Sequence, residues 1–222
     1  MELRDAINER HSIRGYKDIP VSKKLICEIL ELATRAISAV NSQPWEFIVV
    51  TGKELDEIKA YNMNALHSNF PEDREDTNVP KGVYQDRRRT IGKALLGAMN
   101  IKRENKEERI WWRERGYRFF DAPAVIFLLM DESLDETAYR FDMGCVAQNV
   151  TLVAVEKGLG TCVSDQAITY QKGLREILGI PEEKRFVVGI CIGYPDKDFA
   201  ANQVISEREP IENITVWHGF AN

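Results

Sequence analysis

The stretch Arg10-His11-Ser12-Ile13-Arg14-Gly15-Tyr16 sets two arginines and a serine at every second position, directly behind a segment with helical spacing. In an extended chain, residues two apart project the same way, so Arg10, Ser12 and Arg14 form a donor set able to converge on one anion through charge-assisted hydrogen bonds. A phosphate suits that set. The same residues also read as a solvated loop whose arginines face water, and the stretch by itself does not choose between the two readings.

Other chemistry is poorly represented. His11, His67 and His218 are scattered, and Cys27, Cys145, Cys162 and Cys191 lie far apart in apolar segments without a CxxC pair. The cysteines read as reduced core thiols, and no metal site is expected. Neither GxGxxG nor GxxxxGK[ST] occurs, which removes the Rossmann fingerprint and the P-loop. Carboxylates are too plentiful for any pair to be informative. The Arg87-Arg88-Arg89 run reads most simply as a solvated helix face, with contact to a ligand phosphate the alternative.

With 222 residues, 44% hydrophobic and 29% charged, the chain can bury a sizeable core without disulfides or metals. A net charge of -5 argues against nucleic acid as a partner, since phosphate backbones select clustered positive charge. The opening MELRDAINER lacks the apolar stretch of a secretory signal, and no later run is long and apolar enough to span a bilayer. A cytoplasmic protein without a membrane partner is expected.

These elements must position the arginines. Leu3, Ala6 and Ile7 predict a short helix over residues 2–11, and Ser22 caps a second that runs to about Ala36. The turn-rich SAVNSQPW leads into Glu46–Thr51, expected as a buried strand, followed by a helix over 53–65. Residues 67–82 are polar with two prolines and read as a mobile loop; 84–120 are charged and helical in character. The adjacent Trp111 and Trp112 cannot share one helix face, so one is expected inward and the other on a pocket or partner surface. Pro123–Met130 is continuously apolar, as a central strand covered on both faces should be. Met143, Val146, Val150 and Ala154 predict a helix ending at Gly158, and apolar residues on its other sides predict deep burial. GTCVSD and RFVVGICIGYP read as further strands, with a short helix between them closed by Gly179. Residues 200–222 form an arm without a core pattern, which needs something to lie against. No internal repeat or low-complexity tract is present.

Four motifs occur in order: Arg-x-Ser-x-Arg, Asn-Ser-Gln-Pro-Trp, YRFFDAPAVIF and FDMGCVAQNVTLVAVEKGLGTC. Together they resemble the FMN-dependent nitroreductase family, most closely its bacterial nitroaromatic-reducing members, over nearly the whole chain. The resemblance implies an α+β sandwich, a mostly antiparallel central sheet flanked by helices, built as an intertwined homodimer. It implies one FMN-binding domain over residues 1–222, a lid insertion at about 66–118, and a C-terminal arm at about 200–222 reaching over the partner subunit.

Carried over by position, the resemblance implies that Arg10 and Ser12, with His11 between them, bind the FMN phosphate. Arg14 would face the pyrimidine edge of the flavin, where a guanidinium stabilises the negative charge of the reduced form. Arg208 matches a C-terminal arginine that also reaches the phosphate, with Ser206 where some relatives carry a second cation. Ser38, Asn41 and Gln43 match a stretch contributed across the interface, and Ile37 replaces a common proline at its start. Asn41 and Gln43 have donors and acceptors for flavin edge atoms, although Asn41 also suits a turn cap, and Trp45 reads as core. Ser164 and Asp165 fall where the family brings backbone N–H groups to the flavin ring, in a stretch 163–166 that is often richer in glycine.

The implied activity is ping-pong: NADPH or NADH delivers a hydride to flavin N5, leaves, and a small nitroaromatic or quinone-like acceptor takes its place. No side chain is then required as acid or base. Trp111, Trp112, Tyr117 and Phe120 are candidates to line the acceptor slot, with core packing the alternative. The same scaffold also supports reductive dehalogenation, enone reduction and oxidation of heterocycles, and a non-catalytic flavin-binding module is a further alternative.

Overall fold

Seven apolar residues in succession make Ala124–Asp131 (β2) a strand that can be buried on both faces, and its first seven positions are indeed buried. In the computed structural model, which describes residues 1–73 and 80–220, β2 pairs antiparallel with Glu46–Thr51 (β1) on one side and with Lys184–Gly193 (β4) on the other. Gly160–Ser164 (β3) completes the sheet against β4, giving the order β1-β2-β4-β3, antiparallel throughout.

Because side chains alternate across a strand, each face of this sheet makes its own core. Ala124, Ile126, Leu128 and Met130 of β2, with Val188, Ile190 and Ile192 of β4, meet Ile26, Ile29 and Ala33 of helix Lys23–Ala33 (α2), which follows helix Leu3–Glu9 (α1). The same layer takes Met143, Val146, Val150 and Ala154 from the long helix Glu136–Glu156. On the opposite face Val125, Phe127 and Leu129 pack with Leu55 and Ile58 of helix Gly52–His67 (α3) and Leu174 of Gln171–Leu178. Helices Val83–Ala98 (α4) and Lys106–Tyr117 (α5) follow α3, so the two later helices are α6 and α7 respectively. Full burial of each large apolar side chain stabilises the fold by about 1.5–3 kcal/mol.

Local signals set several boundaries. Leu25 N–H donates to Ser22 Oγ at 3.2 Å, Glu108 N–H to Asn105 Oδ1 at 3.1 Å and Ala138 N–H to Asp135 Oδ1 at 2.9 Å, capping α2, α5 and α6. The α+β sandwich and antiparallel sheet follow the sequence reading; other details correct it. β1 is an edge strand with only Val50 buried. Residues 84–120 hold two helices, separated at 99–105. α6 starts at Glu136, and its Phe141, Gly144 and Gln148 side is exposed in the single chain, so its all-round apolar character does not produce all-round burial. Cys27 is exposed, in contrast to the buried Cys162 and Cys191.

Within the stretch 67–82, expected as a loop, the described residues after His67 form turns and irregular chain, anchored at Asp73. Asp73 N–H donates to the Thr169 carbonyl at 3.0 Å, while its Oδ2 accepts from Lys172 N–H at 3.0 Å in the first turn of α7. Residues 74–79 lie outside the described residues. The C-terminal segment 204–220 has no buried residue, consistent with its lack of a core pattern, and Glu209 ties it to Arg87 of α4 at 2.6 Å. Among the described residues no helix is long and apolar enough to cross a membrane.

Three strand ends meet in one polar knot. Lys184 Nζ donates to Glu46 Oε1 at 2.6 Å and to Asp131 Oδ2 at 3.0 Å, and Ser133 Oγ donates to Asp131 Oδ1 at 2.6 Å. Hydrogen bonding from Ser133 and then Lys184 lowers the Asp131 pKa from 3.8 to about 2. A depressed carboxylate pKa contributes stability above its unfolded value and loses it as pH falls through the folded one. The urea midpoint of Asp131→Asn should therefore lie below that of the parent by a constant gap above about pH 5, and the gap should close between about pH 4 and 2. Midpoints at several pH values check this; a gap that is the same at low and neutral pH refutes it.

Candidate functional site

Behind α1 the chain turns extended and runs along the outer edge of β3. Ser12 bridges Thr161 in parallel, Ile13 N–H donates to the Thr161 carbonyl at 2.9 Å, and Tyr16 bridges Pro195. Ile13 and Gly15 are buried, whereas Arg10, Ser12 and Arg14 are half-buried on the alternate positions. This is the extended geometry that lets the three donors share one side.

Their partners differ. Among the described residues Arg10 makes no side-chain hydrogen bond or ion pair, and Arg14 has no carboxylate partner. Arg14 Nη1 donates to the Ser12 carbonyl at 3.3 Å, and its guanidinium carbon stands 5.9 Å from the centre of the Phe120 ring. Ser12 also reaches the Cys162 thiol, whose pKa burial raises and Arg14 and Ser12 partly restore. Two cations and a hydroxyl are thus left half-exposed on one edge, an arrangement that favours an anion.

His11 is different. Its Nδ1 lies 2.7 Å from the Glu9 carbonyl and its Nε2 2.9 Å from the Asn202 carbonyl, so either tautomer of the neutral ring has a carbonyl to donate to within the chain.

Asn202 is the residue that sequence reasoning missed. Its Oδ1 accepts from Arg14 N–H at 2.6 Å and Gly15 N–H at 3.2 Å, and its Nδ2 donates to the Gly15 and Asp196 carbonyls, both at 2.8 Å. All four hydrogen-bonding positions of the amide are filled, and the residue is 5% exposed. Phe199, nearby, lies so close to Gly15 that no Cβ fits there. Nothing in FAANQ marks the asparagine, because its partners on Arg14 and Gly15 are more than 180 residues away.

Among the described residues, the hydrogen bonds of Ser38, Asn41, Gln43 and Arg208 stay within their own segments and do not reach Arg10–Arg14. In the loop before β1, Gln43 N–H donates to Ser38 Oγ at 3.1 Å, Gln43 Nε2 to the Asn41 carbonyl at 3.3 Å, and Ala39 N–H to the buried Asp142 at 3.0 Å. Val40, Asn41 and Gln43 have φ values of 48°, 58° and 47°, and the Val40 side chain is 96% exposed. Left-handed residues of this kind cost about 1–3 kcal/mol each and persist where surroundings over-determine them. Arg208 folds onto its own segment, donating to Ser206 and Glu207.

Ser164 ends β3, opposite Gly189, and Asp165 opens the turn that follows. Because peptide groups alternate sides along a strand and the Thr161 carbonyl points to Ile13, the Val163 amide also points away from β4, toward the edge where the arginine segment lies. Of the aromatic candidates, Tyr117 and Phe120 are buried, Trp112 is half-buried and Trp111 is exposed.

Comparison with known proteins adds an independent finding. The Nitroreductase family profile matches residues 7–194. The chain is 30% identical over 219 residues to a 4-nitrobenzoate reductase of Nocardioides sp. (strain LMS-CY), covering 96% of this chain and 88% of that protein. It superposes on the FMN and NADPH-dependent nitroreductase NfnB from Sphigopyxis sp. strain HMH with a TM-score of 0.93, at 29% identity and over 99% of this chain and 100% of the other. For the FMN-dependent nitroreductase NfnB from Mycobacterium smegmatis in complex with NADPH, the TM-score is 0.90 at 26% identity, over 97% of each chain.

The Asn202 geometry carries its own prediction. Asn202→Ala strands the Arg14 and Gly15 amides without their acceptor and should destabilise the fold by about 2–4 kcal/mol, since each orphaned buried group costs about 1–3 kcal/mol. Urea denaturation measures this; a loss under about 0.5 kcal/mol, the range of ordinary surface changes, refutes it.

Proposed function

Since this chain belongs to the Nitroreductase family, we propose that it is an FMN-dependent oxidoreductase that uses NADPH or NADH to reduce nitroaromatic or quinone-like acceptors. The observation that carries the site is the half-buried trio Arg10, Ser12 and Arg14, presented along one side of an extended segment without a carboxylate partner among the described residues. That donor set fits a phosphate and an electron-rich ring edge. Arg10 and Ser12 hold the FMN phosphate, Arg14 faces the pyrimidine edge, and the chain around Ser164 and Asp165 presents backbone N–H groups to the ring.

When bound, FMN supplies the two-electron chemistry that links the nicotinamide donor to the acceptor. The side chains bind and orient. Arg14 stabilises negative charge on the reduced ring, and Arg10 neutralises the phosphate. No side chain is assigned as acid or base.

The functional unit is a homodimer. Support comes from surfaces that one chain leaves open: the Phe141–Gly144–Cys145–Gln148 side of α6, the strained Ser38–Gln43 loop, and an arm whose Ile205, Ile214, Val216 and Trp217 are all exposed. In the dimer, Ser38, Asn41 and Gln43 approach the partner's flavin, and the arm carries Arg208 toward a phosphate. The chain acts as one domain in the cytoplasm, with 66–118 as a lid over the acceptor slot.

An absorption spectrum of the purified protein tests this. A flavin spectrum that bleaches anaerobically with NADPH or NADH, and recovers on addition of 4-nitrobenzoate or a benzoquinone, is the expected result. Failure to bind FMN after reconstitution sinks the reading, and bound FMN that neither nucleotide reduces favours a binding module. Arg10→Ala should weaken FMN binding by about 1.5–3 kcal/mol, the contribution of a hydrogen bond to a charged group. Unchanged affinity in a folded variant would remove Arg10 from the site.

A further inference from the structure

We propose that Arg115, at the end of α5, is a positioning residue that fixes Arg14 and couples the seating of α5 to the electronic tuning of the bound flavin. The inference rests on the flavin site proposed above and assigns a role to a residue outside it.

Arg115 Nη2 donates to the Arg14 carbonyl at 2.9 Å and to the Phe120 carbonyl at 3.2 Å, while Nη1 donates to Asp121 Oδ2 at 2.7 Å. Its guanidinium carbon stands 4.7 Å from the centre of the Phe199 ring and 5.4 Å from that of Trp111. The side chain is 11% exposed. Arg14 is therefore held from both ends of its residue: Asn202 takes its N–H and Arg115 its carbonyl. The backbone of Phe120, whose ring meets the Arg14 guanidinium, is tied by the same fork. Phe119, Phe120 and Asp121 have φ values of 59°, 55° and 59°, three successive left-handed residues that relax unless something holds them.

The next residue strengthens the link. At Gly116 a Cβ would collide with the Gln166 side chain, so the end of α5 also abuts the turn after β3. One helix end thus touches both strips of chain assigned to the flavin.

Stability alone does not call for this arginine. Burial lowers its pKa against the pull of Asp121, and its Nε is buried without a hydrogen-bond partner among the described residues. Apolar residues can often replace a buried charged network without loss of stability. What they cannot do is reach a carboxylate and two carbonyls from one plane, and the compact lysine ammonium cannot either. The geometry specifies direction.

The test measures the midpoint potential of bound FMN and its dissociation constant in the parent, Arg115→Gln, Arg115→Lys, Arg14→Gln and the Arg14→Gln/Arg115→Gln double variant. Displacing Arg14 weakens binding of the reduced cofactor more than of the oxidised one. A tenfold difference corresponds to about 30 mV for a two-electron couple. Arg115→Gln should lower the potential by that order, Arg115→Lys should not restore it, and the double variant should fall no further than Arg14→Gln alone. An unchanged potential, or strictly additive shifts, overturns the proposal. Asp121→Asn, which leaves the fork in place but removes its carboxylate, should give a smaller shift of the same sign if Arg115→Gln does not fold; no shift there also counts against the role. Hydrogen exchange of the Arg14 and Gly15 amides in the apoprotein separates the two readings. Faster exchange in the Arg115 variants supports the positioning role even if the parent binds no FMN, which would defeat only the functional reading, whereas unaltered exchange defeats the positioning role.

Discussion

The site depends on how the outer edge of β3 is covered. A sheet edge exposes unpaired peptide groups, and proteins generally cover or blunt it. Here the cover is the Arg10–Tyr16 segment, joined to the edge through Ile13 and the Thr161 carbonyl. One bond of that kind contributes only about 0.5–1.5 kcal/mol, too little to hold seven residues in an extended line. The rest of the hold comes from distant parts of the chain: the Asn202 amide meets both peptide neighbours of Arg14, its carbonyl meets His11, and Arg115 takes the Arg14 carbonyl. The short segment is rigid because distant residues complete its hydrogen bonding.

That division explains what was legible beforehand. The alternation of Arg10, Ser12 and Arg14 is a local pattern of period two, and an extended segment needs nothing else to present them on one side. The caps at Ser22, Asn105 and Asp135 are equally local. β2 is visible because both of its faces are apolar, yet the same rule misleads at β1, whose apolar run lies at the sheet edge. It misleads again at α6, whose apolar residues surround the helix while the single chain covers only part of it. Asn202 and Arg115 escape notice because their roles are set by partners 188 and 101 residues away in sequence.

Backbone strain is concentrated at two places where buried polar groups meet loop backbone. Val40, Asn41 and Gln43 form one cluster of left-handed residues, and Phe119–Asp121 form another. Each is held by buried polar groups from elsewhere: Asp142 of α6 accepts from Ala39, and Arg115 of α5 binds Phe120 and Asp121. Conformations of this cost relax unless several contacts oppose relaxation. The second cluster places an aromatic face under Arg14.

The contrast between Arg14 and Arg10 follows from these constraints. Arg14 sits where every neighbouring backbone group is engaged, so the root of its side chain is fixed, and its guanidinium meets the Ser12 carbonyl and the Phe120 ring. Arg10 follows the last turn of α1, its N–H donating to the Ala6 carbonyl at 3.1 Å, and its side chain has no hydrogen-bond or ion-pair partner among the described residues. A cation that follows a mobile phosphate tolerates the lack of such partners, because its interaction falls off slowly with distance. A cation that must stabilise charge on one edge of a rigid ring does not, because a displacement of about 1 Å alters which atom it faces. The tighter framework lies around Arg14, the arginine proposed to face the ring edge.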